Sequence, residues 1–208
     1  MLTLPQKGYL GSAILKEFVE GGFNASVLGR SESAKEGLPD GEIEYTIFFS
    51  VGGFADLSTQ IPAAFDFSNK SITMYDDGVH PFSVTSVASI GKAVVGALKN
   101  PDATKNRNLK IHELIPSQAQ LTALAKMLSP PGTQWRETKL DGKAEWDNAL
   151  KAVLEDPCNE QKVIEIIKNS PFSRRYESAF GKVENKLVGV PLLTEKDLEE
   201  KMAAAFRF

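Results

Sequence analysis

The stretch Gly8-Tyr-Leu-Gly11-Ser-Ala-Ile-Leu-Lys-Glu-Phe-Val-Glu-Gly-Gly-Phe-Asn-Ala-Ser-Val-Leu-Gly-Arg30 decides the reading of the fold. Leu10, Ile14 and Phe18 recur every four residues with Ala13 beside them, one apolar stripe that predicts a helix over Tyr9–Glu20. Gly21-Gly22 supplies its stop, because glycine accepts the left-handed conformation cheaply. A short strand follows at Ala25–Leu28. A G-x-x-G pair that opens a helix lets backbone approach a pyrophosphate, and the helix mouth adds unpaired N–H donors. Arg30 stands nineteen positions after Gly11, at the end of the next strand. A carboxylate there would bond a ribose 2′-hydroxyl, whereas a guanidinium suits a 2′-phosphate, so the arrangement predicts NADP. Lys35, five positions further on, is a second candidate for that phosphate.

Outward from this stretch the chain alternates helix-like and strand-like segments, an α/β pattern. Strands are predicted at Glu44–Val51, Ile72–Tyr75, Asn108–Leu114 and Gln134–Leu140. Helices are predicted over Val87–Leu98, from Ser117 to Leu128, over Glu145–Leu154 and Gln161–Lys168, and from Thr194 to Ala205. Ser86, Ser117 and Thr194 are read as N-caps. Ile90, Val94, Val95 and Leu98 are the expected apolar face of the first of these. Residues 1–46 read as the start of a nucleotide-binding βαβ unit. Residues 47–208 read as remaining sheet strands and a C-terminal lobe, not cleanly separable from the first part.

The chain has 208 residues, 42% apolar and 25% charged, which excludes a disordered polymer or a disulfide scaffold. With 24 Lys+Arg against 27 Asp+Glu and no basic stripe, nucleic-acid binding is not expected. One cysteine, Cys158, fits a reducing compartment, and two histidines cannot build the common zinc sites, so no metal is expected. No leader or spanning segment is visible, and the expected location is cytoplasmic, without a membrane partner.

The residues quoted above, together with Ser26-Val-Leu-Gly-Arg-Ser-Glu-Ser33 and Tyr45-Thr-Ile-Phe-Phe-Ser-Val-Gly-Gly-Phe54, resemble the NmrA-like, isoflavone-reductase-like group of atypical short-chain dehydrogenases. The most specific match is Tyr75-Asp-Asp-Gly-Val-His-Pro-Phe-Ser-Val-Thr-Ser-Val-Ala-Ser-Ile-Gly-Lys-Ala-Val94. The resemblance implies a truncated NAD(P)-binding Rossmann-like parallel sheet with a smaller C-terminal α+β substrate lobe. It implies an NADPH-dependent oxidoreductase that transfers hydride to a small aromatic or apolar metabolite. The alternative is a non-catalytic dinucleotide-sensing or protein-interaction relative, or a truncated inactive one.

Three departures from the family pattern bear on activity. Aligning the second and third glycines of the family's G-x-x-G-x-x-G loop with Gly8 and Gly11 puts Pro5 at the first. Only Leu2-Thr-Leu4 precedes the loop as a first strand. Between Arg30 and Thr46 there is room for neither the central strands nor the segment with the family's lysine, and an incomplete sheet of this kind predicts self-association through exposed edges.

No catalytic residue is assigned. None of Tyr9, Tyr45, Tyr75 and Tyr176 has a lysine four positions later. His80 reads as a loop histidine or a substrate contact, His112 as a surface or half-buried residue, Lys92 as solvated and Cys158 as an inert or surface thiol. Phe48, Phe49, Phe54, Phe65 and Phe67 read as core, or as the wall of an apolar substrate pocket.

Overall fold

The computed structural model describes residues 2–5, 9–22, 25–28, 46–50, 65–66 and 69–205. In chain order the elements are β1 (Leu2–Pro5), α1 (Tyr9–Glu20), β2 (Ala25–Leu28), β3 (Thr46–Phe49), β4 (Phe65–Asp66), β5 (Ser71–Tyr75), α2 (Val87–Lys99), α3 (Pro101–Thr104), β6 (Arg107–Lys110), α4 (Gln118–Leu128), β7 (Arg136–Leu140), α5 (Gly142–Glu155), α6 (Glu160–Asn169), α7 (Asn185–Val188) and α8 (Glu195–Ala205).

The opening unit is strand, helix, parallel strand. Leu2 pairs with Ala25 and Pro5 with Leu28, in register throughout. Proline tolerates this position because it closes the strand, where one lost N–H costs little. Helix α1 ends as its glycines predict: Gly21 N–H returns to Glu17 O at 2.8 Å, and Gly22 takes a φ of +81°.

A second parallel pair joins β3 to β6, Thr46 opposite Arg107 and Phe49 opposite Lys110. One face of this pair is covered by α2. Ala93 and Ala97 of the helix meet Leu109 and Ile111, with Phe48, Val188 and Val190 in the same cluster. On the other face Ile47 and Phe49 remain 47% and 44% exposed. Parallel strands are ordinarily covered on both faces, and here the Ile47 and Phe49 side of β3 stays exposed. The third sheet is mixed: β5 runs antiparallel to β4 and parallel to β7, from Ser71 opposite Arg136 to Tyr75 opposite Leu140. It packs on α4 and α8 through Ile72, Met74, Phe82, Leu121, Leu198 and Met202, all buried. Among the described residues the three sheets share no hydrogen-bonded edge.

Helix α2 is the common contact of these layers, and its buried face differs from expectation. Ile90, Val94 and Leu98 are only half-buried, whereas Gly91, Ala93 and Ala97 are buried beside Val95. The small residues are buried because neighbours come close on two sides. A methyl group on Gly91 would lie 2.8 Å from Glu17 Cγ and 3.1 Å from Ala13 O of α1. One on Gly96 would lie 2.1 Å from Val188 O of α7. Hydrophobic periodicity ranks large side chains first and so overlooks a face selected for closeness.

Gly96→Ala should therefore lower the thermal midpoint strongly, because overpacking against backbone costs about 1–3 kcal/mol or more. Gly22→Ala, which meets nothing within 4 Å and suffers only its positive φ, should cost about 1 kcal/mol or less. Urea unfolding of the two variants checks the order; equal losses would contradict the close packing of α2 on α7.

Candidate functional site

In α/β sheets ligands gather outside the carboxyl ends of the strands. For β1 and β2 that end carries Pro5 and Leu28, and α1 begins four residues after Pro5 at Tyr9. Gly11 is the third residue of α1, inside its first turn, and that turn holds no acidic residue. Gly8, the residue before α1 in sequence, is of a type with no side chain to serve as a cap. The remaining long helices are furnished differently. Asp141, Asn159 and Ser117 cap α5, α6 and α4, while Glu195 and Asp197 stand in the first turn of α8. Helix α2 is capped by Ser86, and Glu113 reaches the same end. A helix leaves its first amides without intrahelical partners and carries partial positive charge at that end, and the first turn of α1 holds no acid, the chemistry an anionic pyrophosphate requires. Of the expected binding residues, Gly11 falls in this helix, and Gly8, Arg30 and Lys35 lie outside the described residues.

A groove of about 450 Å³ opens at the opposite end of α1, between Glu17, Glu20, Lys92, Lys99 and Lys186. Helix carbonyls and two carboxylates face it there, which makes it a poor anion site despite its lysines.

The extension of β6 carries a buried polar network. Glu113 is 4% exposed, and both its carboxyl oxygens accept hydrogen bonds at the head of α2: from Ser86 N at 2.5 Å and from Ser89 Oγ at 2.7 Å. His112 is buried, against the surface or half-buried placement expected of it, because its strand continues past Lys110 under α7. Its backbone is bracketed by Asn185, whose Oδ1 accepts from His112 N at 3.3 Å and whose Nδ2 donates to His112 O at 2.6 Å. Ser83 Oγ lies 3.0 Å from His112 Nδ1 and accepts from Phe180 N at 2.9 Å. Burial lowers the His112 pKa below its ordinary 6.5.

The carboxyl end of β5 forms an aromatic corner. Tyr75 stacks on Phe172 at 5.2 Å, and Phe172 meets Phe82 edge-on at 5.1 Å. Burial, and then the carboxylates of Glu145 and Glu165, push the Tyr75 phenol up to about 12. It therefore holds its proton at neutral pH and is a weak acid for proton transfer. Beyond it, Asp76 accepts from Gly142 N at 2.9 Å, and Arg174 pairs with Asp76 at 3.7 Å and with Asp77. Exposed ion pairs contribute about 0–1 kcal/mol, whereas a non-glycine residue at positive φ costs about 1–3 kcal/mol. Asp76 and Arg174 both sit at positive φ, +54° and +55°. His80 Nε2, five residues past Tyr75, is buried without a hydrogen-bond partner among the described residues. Sequence reasoning missed this corner because its partners are a hundred residues apart; Asp76-Asp77-Gly78 announced only a turn. Lys92 and Cys158 are exposed, as expected of them. Phe65 is buried and Phe48 packs on α2, whereas Phe49 faces outward; Phe54 and Phe67 lie outside the described residues. No group of three or more His, Cys, Asp or Glu that could hold a metal occurs among the described residues. No described helix is long and apolar enough to cross a membrane.

No protein-family model matches the chain. Oxidoreductase poxI of Penicillium oxalicum is 38% identical over 71 residues, 34% of this chain and 22% of that protein. Oxidoreductase aprR of Aspergillus flavus is 32% identical over 102 residues, 49% of this chain and 33% of that protein. The matched stretches thus span a third or less of these relatives. Among solved structures, a nucleoside-diphosphate-sugar epimerase of Staphylococcus aureus superposes with a TM-score of 0.50 at 16% identity, over 77% of this chain and 52% of that one. That likeness defines the fold as Rossmann-like α/β.

Two pH windows follow from the buried groups. The Tyr75 pKa is raised above its unfolded value, so its contribution to stability is complete below pH 10 and is lost as pH rises toward 12. Thermal midpoints of wild type and Tyr75→Phe should stay parallel up to pH 10, after which wild type should fall faster; parallel curves beyond pH 10 would contradict the burial of the phenol. The His112 pKa is depressed, so its contribution is present above pH 6.5 and lost as pH falls below that value. His112→Asn should flatten the loss of midpoint below pH 6.5, and an unchanged acid limb would contradict a buried neutral imidazole.

Proposed function

We propose that this chain binds NADP through the head of α1 and acts as an oxidoreductase of the isoflavone-reductase-like kind. The observation that carries the reading is the β1–α1–β2 unit, with a glycine-led, acid-free helix mouth outside the carboxyl ends of two parallel strands. Backbone amides of residues 8–11 would hold the pyrophosphate, and Arg30 with Lys35 would hold the 2′-phosphate. The nicotinamide supplies hydride when bound. Two fungal relatives that are oxidoreductases by name support the general class of reaction. The substrate is a small aromatic or apolar metabolite. Residues 1–46 form the nucleotide half and residues 47–208 the remainder with the substrate lobe. The working location is the cytoplasm, and the open face of β3 at Ile47 and Phe49 is the surface through which copies self-associate.

A second reading, a non-catalytic dinucleotide sensor, is favoured by one observation. Tyr75 is seated at the carboxyl end of β5, and burial raises its pKa and makes it a poor proton donor for turnover. Turnover of NADPH against a panel of aromatic carbonyl and enone compounds separates the two readings: binding without turnover selects the sensor.

Binding itself is tested by calorimetry with NADPH, NADH and 2′,5′-ADP. Arg30→Ala should weaken NADPH about 10–100-fold and leave NADH nearly unchanged, the size expected for a charge-assisted phosphate contact. Gly11→Asp, which adds an anion to the helix mouth, should abolish binding of both nucleotides. Absence of NADPH binding near 1 mM, a weak limit of about 4 kcal/mol, would end both readings.

A further inference from the structure

Residues 170–184 run irregularly from the end of α6 to the start of α7. The segment is fixed firmly at two places. Phe172 is buried between Tyr75 and Phe82. Further on, Ser83 N donates to Ser178 O at 2.8 Å, and Phe180 N donates to Ser83 Oγ at 2.9 Å. Between these anchors Arg174, Arg175, Tyr176 and Glu177 are exposed, and none of the four makes a backbone–backbone hydrogen bond among the described residues. Side chains alone hold this middle part. Arg174 reaches Asp76 and Asp77, Arg175 reaches Asp147 at 2.5 Å, and Tyr176 lies edge-on to Trp146 at 5.4 Å.

Each attachment is of the kind that yields easily. The ion pairs are exposed and screened by salt. Arg174 holds a left-handed backbone that arginine does not prefer, whereas Asp76, of a type that tolerates it, holds the same conformation at less cost. Asp76 also has an independent occupation, since its Oδ1 accepts from Gly142 N at the start of α5, so losing Arg174 does not orphan it. Release of the four residues therefore relaxes backbone strain, strands no buried group, and uncovers Trp146, which is 8% exposed when the segment is down.

We propose that residues 174–177 are a flap over the carboxyl end of β5, latched by Arg174 on the Asp76–Asp77 turn and opened by loss of that ion pair while Phe172, Ser178 and Phe180 stay seated. The flap goes beyond the nucleotide reading and stands without it. Its place, outside the end of a parallel strand, is where a ligand would have to enter the lobe.

Trp146 reports on the flap directly. In full-length chain carrying Trp135→Phe, Trp146 is the one tryptophan. Acrylamide, a neutral quencher, is titrated at about 0.01 M and about 1 M NaCl, where the screening length falls from about 30 to about 3 Å. Quenching should rise about two- to fivefold at high salt, the population change that loss of a weak exposed pair produces. Arg174→Gln should show the raised value already at low salt, and Arg174→Lys should keep a salt-sensitive latch. Hydrogen exchange should quicken across residues 174–177 and remain unchanged in α4. Salt-independent quenching that Arg174→Gln does not alter would overturn the latch. Exchange that rises equally in α4 would overturn it too, because Arg174 would then brace the whole lobe. The wild-type salt titration requires no substitution at Arg174, so the test survives if Arg174→Gln fails to fold.

Discussion

The carboxyl group of Glu113 is the interaction on which the arrangement of the molecule depends. It lies buried at the head of α2, where one oxygen takes the Ser86 amide and the other the Ser89 hydroxyl. The same residue's backbone donates to Val84 O at 2.8 Å and accepts from Leu193 N at 2.9 Å. Three segments distant in sequence, at residues 84–89, 113 and 193, are thereby tied to one point. A buried acceptor of this kind is costly to leave unpaired, so the contacts form together or not at all. With its head fixed, α2 has its remaining contacts set by glycine. Gly91 admits α1 and Gly96 admits α7, each at a distance no side chain would permit. The head of α1, and with it the candidate nucleotide site, is therefore located by a carboxyl group that never touches it.

This arrangement explains how a shortened sheet keeps its shape. In an unbroken doubly wound fold, neighbouring strands hold one another and helices cover both faces. Here three small sheets share no hydrogen-bonded edge among the described residues, and helix contacts bridge them. Helix α2 covers β3 and β6 on one side and receives α1 on another. The segment of residues 170–184 joins the third sheet to β6, stacking Phe172 on Tyr75 at one end and donating from Glu184 N to Lys110 O at the other. Ile47 and Phe49 stay exposed on the side of β3 away from α2.

Local signals were legible in the sequence, and long-range ones were not. The stripe Leu10, Ile14, Phe18 with its glycine stop placed α1 to the residue, and the strand predicted over Asn108–Leu114 carries Leu109, Ile111 and Glu113, which are all buried. Both patterns arise from one element facing one core. The N-cap role of Ser86 and the reciprocal Thr194–Asp197 box were also readable, because caps act within four residues. The packed face of α2 was misjudged because closeness to α1 and α7 selects small residues, which hydrophobic periodicity ignores. Burial of His112 was missed because it depends on Asn185, seventy-three positions away. Gly11 is the part of the candidate nucleotide site that the sequence announced and the fold carries at a helix mouth. The aromatic corner at Tyr75 became visible only once Phe172 was set against it.

The claim that the head of α1 grips a pyrophosphate is tested most directly by a crystal structure of the full chain soaked with NADP. The account predicts nucleotide density with its pyrophosphate against the amides of residues 8–11 and its 2′-phosphate toward Arg30. Well-ordered nucleotide in the groove at the other end of α1, or a helix mouth filled by the chain's own carboxylate, would contradict it.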